Sequence, residues 1–142
     1  MEHIVLSHIW KQLKANDVIL HHQHGFQTGL SCQTHLVEAV RDWNSSMNNH
    51  KQTYIPLLEF SKAFDAVSHK LLLNKLIYYG ITDLTLQWIN QFLSNRAQTV
   101  SVNSSHSDPE HVISGVPQGS VLGPVLSLLH INDITDSINS NI

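Results

Sequence analysis

The stretch SGVPQGSVLGPVLSLL, Ser114 to Leu129, limits what this chain can fold into more than any other. Its second half reads as an apolar helix from about Val121 to Leu129 or beyond, and such a helix needs a core around it. Its first half is the approach to that helix. Pro117 fixes the backbone just before Gln118, and Gly119 lets a ligand or a neighbouring chain come close. The start of the helix offers N–H groups of the kind that attract phosphate. The same residues also describe an ordinary Gly/Pro loop ahead of a helix, and the loop alone does not choose between the two.

Upstream, helical periodicity recurs. An amphipathic helix is predicted over Glu2–Ala15, with Ile4, Val5, His8, Ile9 and Leu13 near one face. The loop HGFQTGLSC follows. Ser31 is placed to cap a helix to about Met47, whose Leu36, Ala39, Val40, Trp43 and Met47 fall at three- and four-residue steps. After the polar NNHKQ break, TYIPLLEF reads as a strand ending on Glu59, and SKAFDAV as a short turn. Ser68 caps a helix over His69–Tyr79 closed by Gly80. Thr82 or Asp83 opens another, carrying Leu86, Trp88, Ile89, Phe92 and Leu93 and ending near Asn95. QTVSV and EHVI, joined by the NSSHSDP turn cluster, read as a strand pair. Helices mixed with scattered, non-alternating strands indicate an α+β fold, mostly helical with a few antiparallel strands, rather than a doubly wound sheet.

Composition narrows the function classes. At 142 residues the chain has room for one domain with a real core and is short for two. No apolar run approaches the roughly 20 residues of a membrane helix, so no membrane is expected among its partners. The opening MEHIVLSHIWKQLK places an acid and a histidine where a secretory signal carries basic residues, and Cys32 is the single cysteine. Together these lead to the expectation of an intracellular protein, cytoplasmic or nuclear, and not a secreted one. A net charge of −3 with only 8 Lys+Arg is a weak electrostatic base for gripping nucleic acid. Eleven histidines, with HHQH at His21, His22 and His24, invite a metal reading. Cys32 and the other histidines follow no recognised zinc spacing, so these are read as loop histidines beside a turn at Gly25, and no zinc is assigned.

The second informative stretch is LLEFSKAFDAV, Leu57–Val67. An apolar strand ending in a carboxylate, then a turn, then an aromatic residue, holds an acid rigidly at the end of a sheet. Acids at strand ends are common, and a strand that simply reaches solvent at Glu59 is the plainer alternative.

Taken together and in this order, the segments resemble the reverse transcriptases of non-LTR (LINE-type) retrotransposons. The resemblance begins with EHIVLSHIWKQLKANDVI and continues through QHGFQTGLSCQTHL, LLEFSKAFDAVSHKLLLNKLIYYGI, WINQFLSNRAQTVSVN and SGVPQGSVLGPVLSLLHINDI. It implies part of a right-hand polymerase: residues of about 1–50 fingers-like, and 51–142 an incomplete palm with fingers elements. Glu59 lies where the family has its first catalytic aspartate, one of the carboxylates that hold two Mg²⁺ ions to activate the primer hydroxyl and stabilise the departing pyrophosphate. Phe64 matches the aromatic residue under the incoming sugar, although a core aromatic is an equally good description of it. Backbone around Ser61–Ala63 would run beside the triphosphate. Gln118 matches the glutamine that contacts the incoming nucleotide, in a pocket shaped by Pro117 and Gly119. An RNA template and a DNA primer are the implied partners.

The pattern also breaks. Glu59 stands in place of aspartate, and its extra methylene moves the carboxylate by about 1.5 Å, where a misplacement near 1 Å already costs on the order of a hundredfold in rate. The fingers loop, read as GFRxGRSC in the family, has Gln27 and Leu30 at its basic positions, which removes salt-sensitive affinity for nucleic acid. Residues 1–142 hold neither the aromatic-Ala-Asp-Asp hairpin with the other catalytic carboxylates nor a thumb, and Asp133 and Asp136 do not replace them. The expectation is a truncated, degenerate polymerase fragment with no productively bound Mg²⁺. Its strand edge is uncovered, making it marginally stable or dependent on a partner. Two alternatives stand beside it: part of an active reverse transcriptase completed by a downstream segment, or a repurposed RNA- or protein-binding module.

Overall fold

Five helices and four two-residue strands follow in the order α1 (Glu2–Ala15), α2 (Cys32–Asn48), α3 (His69–Tyr78), α4 (Asp83–Leu93), β1 (Ala97–Gln98), β2 (Ser101–Val102), β3 (Ser105–His106), β4 (Glu110–His111) and α5 (Gly123–Ile131). They are those of a computed structural model that describes residues 1–136. The mixed, mostly helical composition agrees with the α+β expectation.

The core is built around α5. Gly123, Val125, Leu126, Ser127, Leu128 and Leu129 are all buried, as a helix apolar on every side requires. α3 lies against both α5 and α4, and α1 lies against α4. Leu72 and Leu76 of α3, Ile89 and Leu93 of α4, and Ile9 and Leu13 of α1 fill the space between them. Polar side chains tie the same elements at their ends. Asn132 Nδ2 donates to Val18 O at 2.8 Å, and Lys75 Nζ reaches both the His130 carbonyl and Asp133 Oδ1, the latter at 2.6 Å.

Capping matches the sequence closely. Ser31 and Thr34 form a reciprocal capping box, with Thr34 N donating to Ser31 Oγ at 3.2 Å and Ser31 N to Thr34 Oγ1 at 2.9 Å. Ser68 Oγ accepts from Leu71 N at 3.4 Å. Thr82 precedes α4, but its hydroxyl turns to Asp83 Oδ2 and not to the helix backbone.

Four expectations need correcting. The core-facing stripe of α1 holds the buried Ile9 and Leu13 with the half-buried Val5, Leu6 and Trp10, so Val5, Ile9 and Leu13 turn inward as expected but Ile4 and His8 face solvent. α2 packs on no other helix or strand among the described residues, and its Leu36, Val40 and Met47 are exposed. TYIPLLEF is not a strand. Residues 53–60 are exposed throughout and pair with nothing among the described residues, and apolar, β-favouring side chains form a ladder only where a neighbour supplies backbone partners. The strand pair is split in two: β1 pairs antiparallel with β4 (Ala97 opposite His111), and β2 with β3 (Ser101 opposite His106). Asn103 and Ser104, at φ +47° and +66°, make the tight turn between β2 and β3, a geometry with positive φ at both central residues that suits a twisted hairpin. Ser105 and His106, which the sequence placed in the turn cluster, are therefore strand.

Candidate functional site

The fold brings the two informative stretches into contact. Gly115 N donates to Val67 O at 2.8 Å, and Val116 N donates to Phe64 O at 2.9 Å. Ser114 Oγ donates to Asp65 O at 3.0 Å, and Gln118 Nε2 donates to Asp65 Oδ1 at 3.3 Å. The turn Ser61–Ala66 and the approach to α5 thus form one backbone-stitched unit, although Asp65 and Gln118 are far apart in sequence. Residues 61–66 turn on Lys62, whose carbonyl accepts from both Asp65 N and Ala66 N while its own φ is +53°. That conformation is uncommon for a lysine.

Gly115 is the joint between the halves. Its φ is +84°, and a Cβ placed on it would lie 2.9 Å from Asp65 Cα and Asp65 O and 3.0 Å from Phe64 O. All three are backbone atoms, so no side chain can swing aside to admit it. The Gly115 carbonyl is held from the other side by two donors, Arg96 Nη2 at 2.7 Å and His69 Nε2 at 2.8 Å. Arg96 also donates through Nε to Leu93 O at 3.1 Å, so it joins the end of α4 to this joint. Burial pulls the Arg96 guanidinium pKa down.

From Gly115 the chain runs to the apex at Gln118 and Gly119, both exposed. Gly119 has φ +78° and nothing within 4 Å of a built Cβ, so the space beside it is open. Ser120 folds back, its Oγ donating to Pro117 O at 2.6 Å and accepting from Gly123 N at 2.9 Å. The N–H groups at the start of α5 are not free for phosphate, contrary to the sequence reading. Glu2 Oε2 accepts from Val121 N at 2.8 Å and Leu122 N at 3.1 Å.

The predicted site residues therefore divide. Pro117, Gln118 and Gly119 lie together on one loop, with Ala63 exposed on the turn that is stitched to it. Phe64 is half-buried and packs against the core. Glu59 is exposed on the unpaired segment and makes no hydrogen bond or ion pair with this unit among the described residues. The donor set for a metal does not assemble: no three His, Cys, Asp or Glu side chains among the described residues are placed to hold an ion. Asp133 forms its ion pair with Lys75, which holds its carboxyl below the usual range. In the fingers loop, His24 bonds Thr34 Oγ1 and Glu38 Oε2, each at 2.8 Å, and His22 approaches Glu38 at 3.6 Å. These histidines fasten the loop to α2, and the hydrogen bond from His24 holds the Glu38 carboxyl below its ordinary value.

Sequence reasoning missed Asp65, His69, Arg96 and Glu2. Glu2 resembles any acid in the first turn of its own helix, and neither His69 nor Arg96 stands near its partner in the sequence.

The whole chain, residues 1–142, matches the family of reverse transcriptases (RNA-dependent DNA polymerases). It is 28% identical over 144 residues to a probable RNA-directed DNA polymerase from transposon BS and 27% identical over 139 residues to one from transposon X-element, both of Drosophila melanogaster. It is 31% identical over 134 residues to the RNA-directed DNA polymerase from mobile element jockey of the same fly. These alignments cover 91%, 94% and 94% of this chain, but the chain spans only 15%, 14% and 14% of the relatives' own lengths. No solved structure matches it. No helix among the described residues is long and apolar enough to cross a membrane.

Proposed function

Because the chain belongs to the reverse transcriptase (RNA-dependent DNA polymerase) family, we propose that it is a fingers–palm segment of a non-LTR retrotransposon RNA-directed DNA polymerase. In this reading residues of about 1–50 are fingers-like and 51–142 are an incomplete palm with fingers elements. Gln118 and Gly119 face the incoming nucleotide, Pro117 sets the loop, and Ala63 with Phe64 lies beside the sugar and phosphates. Glu59 marks the position of the first catalytic carboxylate. RNA template and DNA primer are the partners, and Mg²⁺ is the ion that the family uses. These 142 residues alone do not extend a primer.

One observation carries this reading: the contact of Phe64–Val67 with Ser114–Gln118. Two segments distant in sequence are stitched so that a flexible amide and an open glycine stand at one exposed apex. Such an apex suits recognition of a flat, hydrogen-bonding ligand against backbone that can be approached closely. The missing catalytic power has an equally simple source. Two-metal chemistry needs several converging carboxylates, and Glu59 stands on a segment with no neighbouring strand among the described residues to fix it.

A second reading is favoured by the exposure of residues 53–60: the segment is completed by further polymerase sequence that covers it. Reading the transcript 3′ of the Ile142 codon tests this. An in-frame aromatic-Ala-Asp-Asp block supports it, and primer extension by the longer chain should then fall by about a hundredfold on Gln118→Ala. Extension unaffected by that substitution would refute the assignment of Gln118. RNA binding by the 142 residues with a steep salt dependence, and no role in extension, would favour a repurposed binding module instead.

A further inference from the structure

We propose that Glu2 is a positioning residue for the Gln118 loop, holding the far end of that loop through the two backbone N–H groups that precede α5. Glu2 Oε2 accepts both bonds, from Val121 N at 2.8 Å and from Leu122 N at 3.1 Å. Gly123 N, the next along, is held by Ser120 Oγ at 2.9 Å. Three successive N–H groups at the mouth of α5 are thereby taken by side chains. Two of them are taken by a carboxylate delivered from the first turn of α1, at the other end of the chain.

The consequence for the loop is geometric. Its near end is fixed at Gly115 and Val116, which bond to Val67 and Phe64. Its far end is fixed by Glu2. Between the two anchors Pro117–Ser120 forms a short turn, closed within itself by Ser120 bonding Pro117 O, with the exposed Gln118 at its apex tied to Asp65 by one side-chain hydrogen bond. Releasing Glu2 frees the Val121 and Leu122 N–H groups and loosens the far end of the loop, leaving Gln118 held by Asp65 and the turn by Ser120 while the core stays packed. The carboxylate suits the task because an anion at a helix N-terminus is favoured by the helix dipole. Charge-assisted bonds of this kind are also roughly twice as strong as neutral ones.

That Glu2 matters to nucleotide rests on the reading above that Gln118 faces it, but the anchor can be tested with no nucleotide, metal or primer present. Amide exchange is followed by NMR on the 142-residue chain, its Glu2→Gln variant and its Glu2→Ala variant. In the wild type, Val121 and Leu122 should exchange at least tenfold more slowly than Gly119 at the apex. Glu2→Ala should speed those two amides at least tenfold and leave Leu72 and Leu76 of α3 unchanged. Glu2→Gln keeps an acceptor oxygen in place without the charge, and should restore part of the protection. Exchange at Val121 and Leu122 as fast as at Gly119 in the wild type overturns the proposal, and needs no variant to fold. Uniform acceleration of every amide in Glu2→Gln also overturns it, since that marks a general structural role.

Discussion

Gly115→Ala tests the stitched joint in isolation from the rest of the fold. The left-handed backbone at Gly115, φ +84°, costs an alanine about 1 kcal/mol. The new Cβ then meets three backbone atoms at 2.9–3.0 Å, and relief requires the two segments to part by several tenths of an ångström. Parting stretches the Gly115–Val67 and Val116–Phe64 hydrogen bonds, 2.8 and 2.9 Å long, each contributing about 1 kcal/mol net. The expected loss is about 2–3 kcal/mol. Gly119→Ala is the matched control: its φ is +78°, nearly the same, but nothing lies within 4 Å of its Cβ, so only the backbone cost of about 1 kcal/mol remains. Urea unfolding followed by far-UV circular dichroism measures both variants, with the shift in midpoint read at a common slope. Equal destabilisation of the two variants would refute the joint, because it would mean that Gly115 is under no steric constraint from Phe64 and Asp65.

Other outcomes follow from the same geometry. His130 has a buried Nδ1 with no hydrogen-bond partner among the described residues, and burial followed by the nearby Lys75 charge pulls its pKa down. Since the folded chain then binds a proton less readily than the unfolded chain, stability should decline as the pH falls below the ordinary histidine value of about 6.5. His130→Leu should remove that decline and raise stability by about 1 kcal/mol near pH 6, measured by urea unfolding across pH. Asp133 has a lowered pKa from its hydrogen bond with Lys75, so its contribution is full above the ordinary carboxylate range and lost as the pH falls below about 4; Asp133→Asn should flatten the acid limb. Ser31→Ala breaks the capping box and costs α2 about 1 kcal/mol. Because α2 packs on no other helix among the described residues, that change should speed amide exchange within α2 and leave the global unfolding midpoint in place. Leu57→Lys, at a side chain 91% exposed, should reduce self-association in sedimentation velocity without lowering the midpoint.

The sequence made some layers of the structure readable and hid others for physical reasons. Helix starts at Ser31 and Ser68 were legible because caps are local chemistry, complete within three or four residues. The burial of α5 was legible because its residues are apolar on every side. Boundaries of buried faces were harder: Ile4 and Ile9 are the same residue type, and only packing against α4 decides which one turns inward. TYIPLLEF shows the limit of β-propensity, since Ile55, Leu57 and Phe60 favour a strand but cannot form one without a partner backbone. In the candidate site, the tight loop at Pro117 and Gly119 was legible because these residues carry their own backbone chemistry, whereas Gln118 was singled out only by the family resemblance. The clamp on Gly115 and the Glu2 anchor could not, since each depends on a contact between residues far apart in the chain. Helix N-termini also look free in a sequence, and the carboxylate that fills this one comes from the first turn of α1.

The central claim is that these residues form the nucleotide-facing part of a reverse transcriptase and lack the means to catalyse alone. Primer extension tests it most directly, using the 142-residue chain with an RNA template, an annealed DNA primer, Mg²⁺ and all four deoxynucleotides, with Gln118→Ala run in parallel. The account predicts no extension by either protein. Product from the wild-type chain that disappears with Gln118→Ala would contradict it, showing a complete active site within these residues.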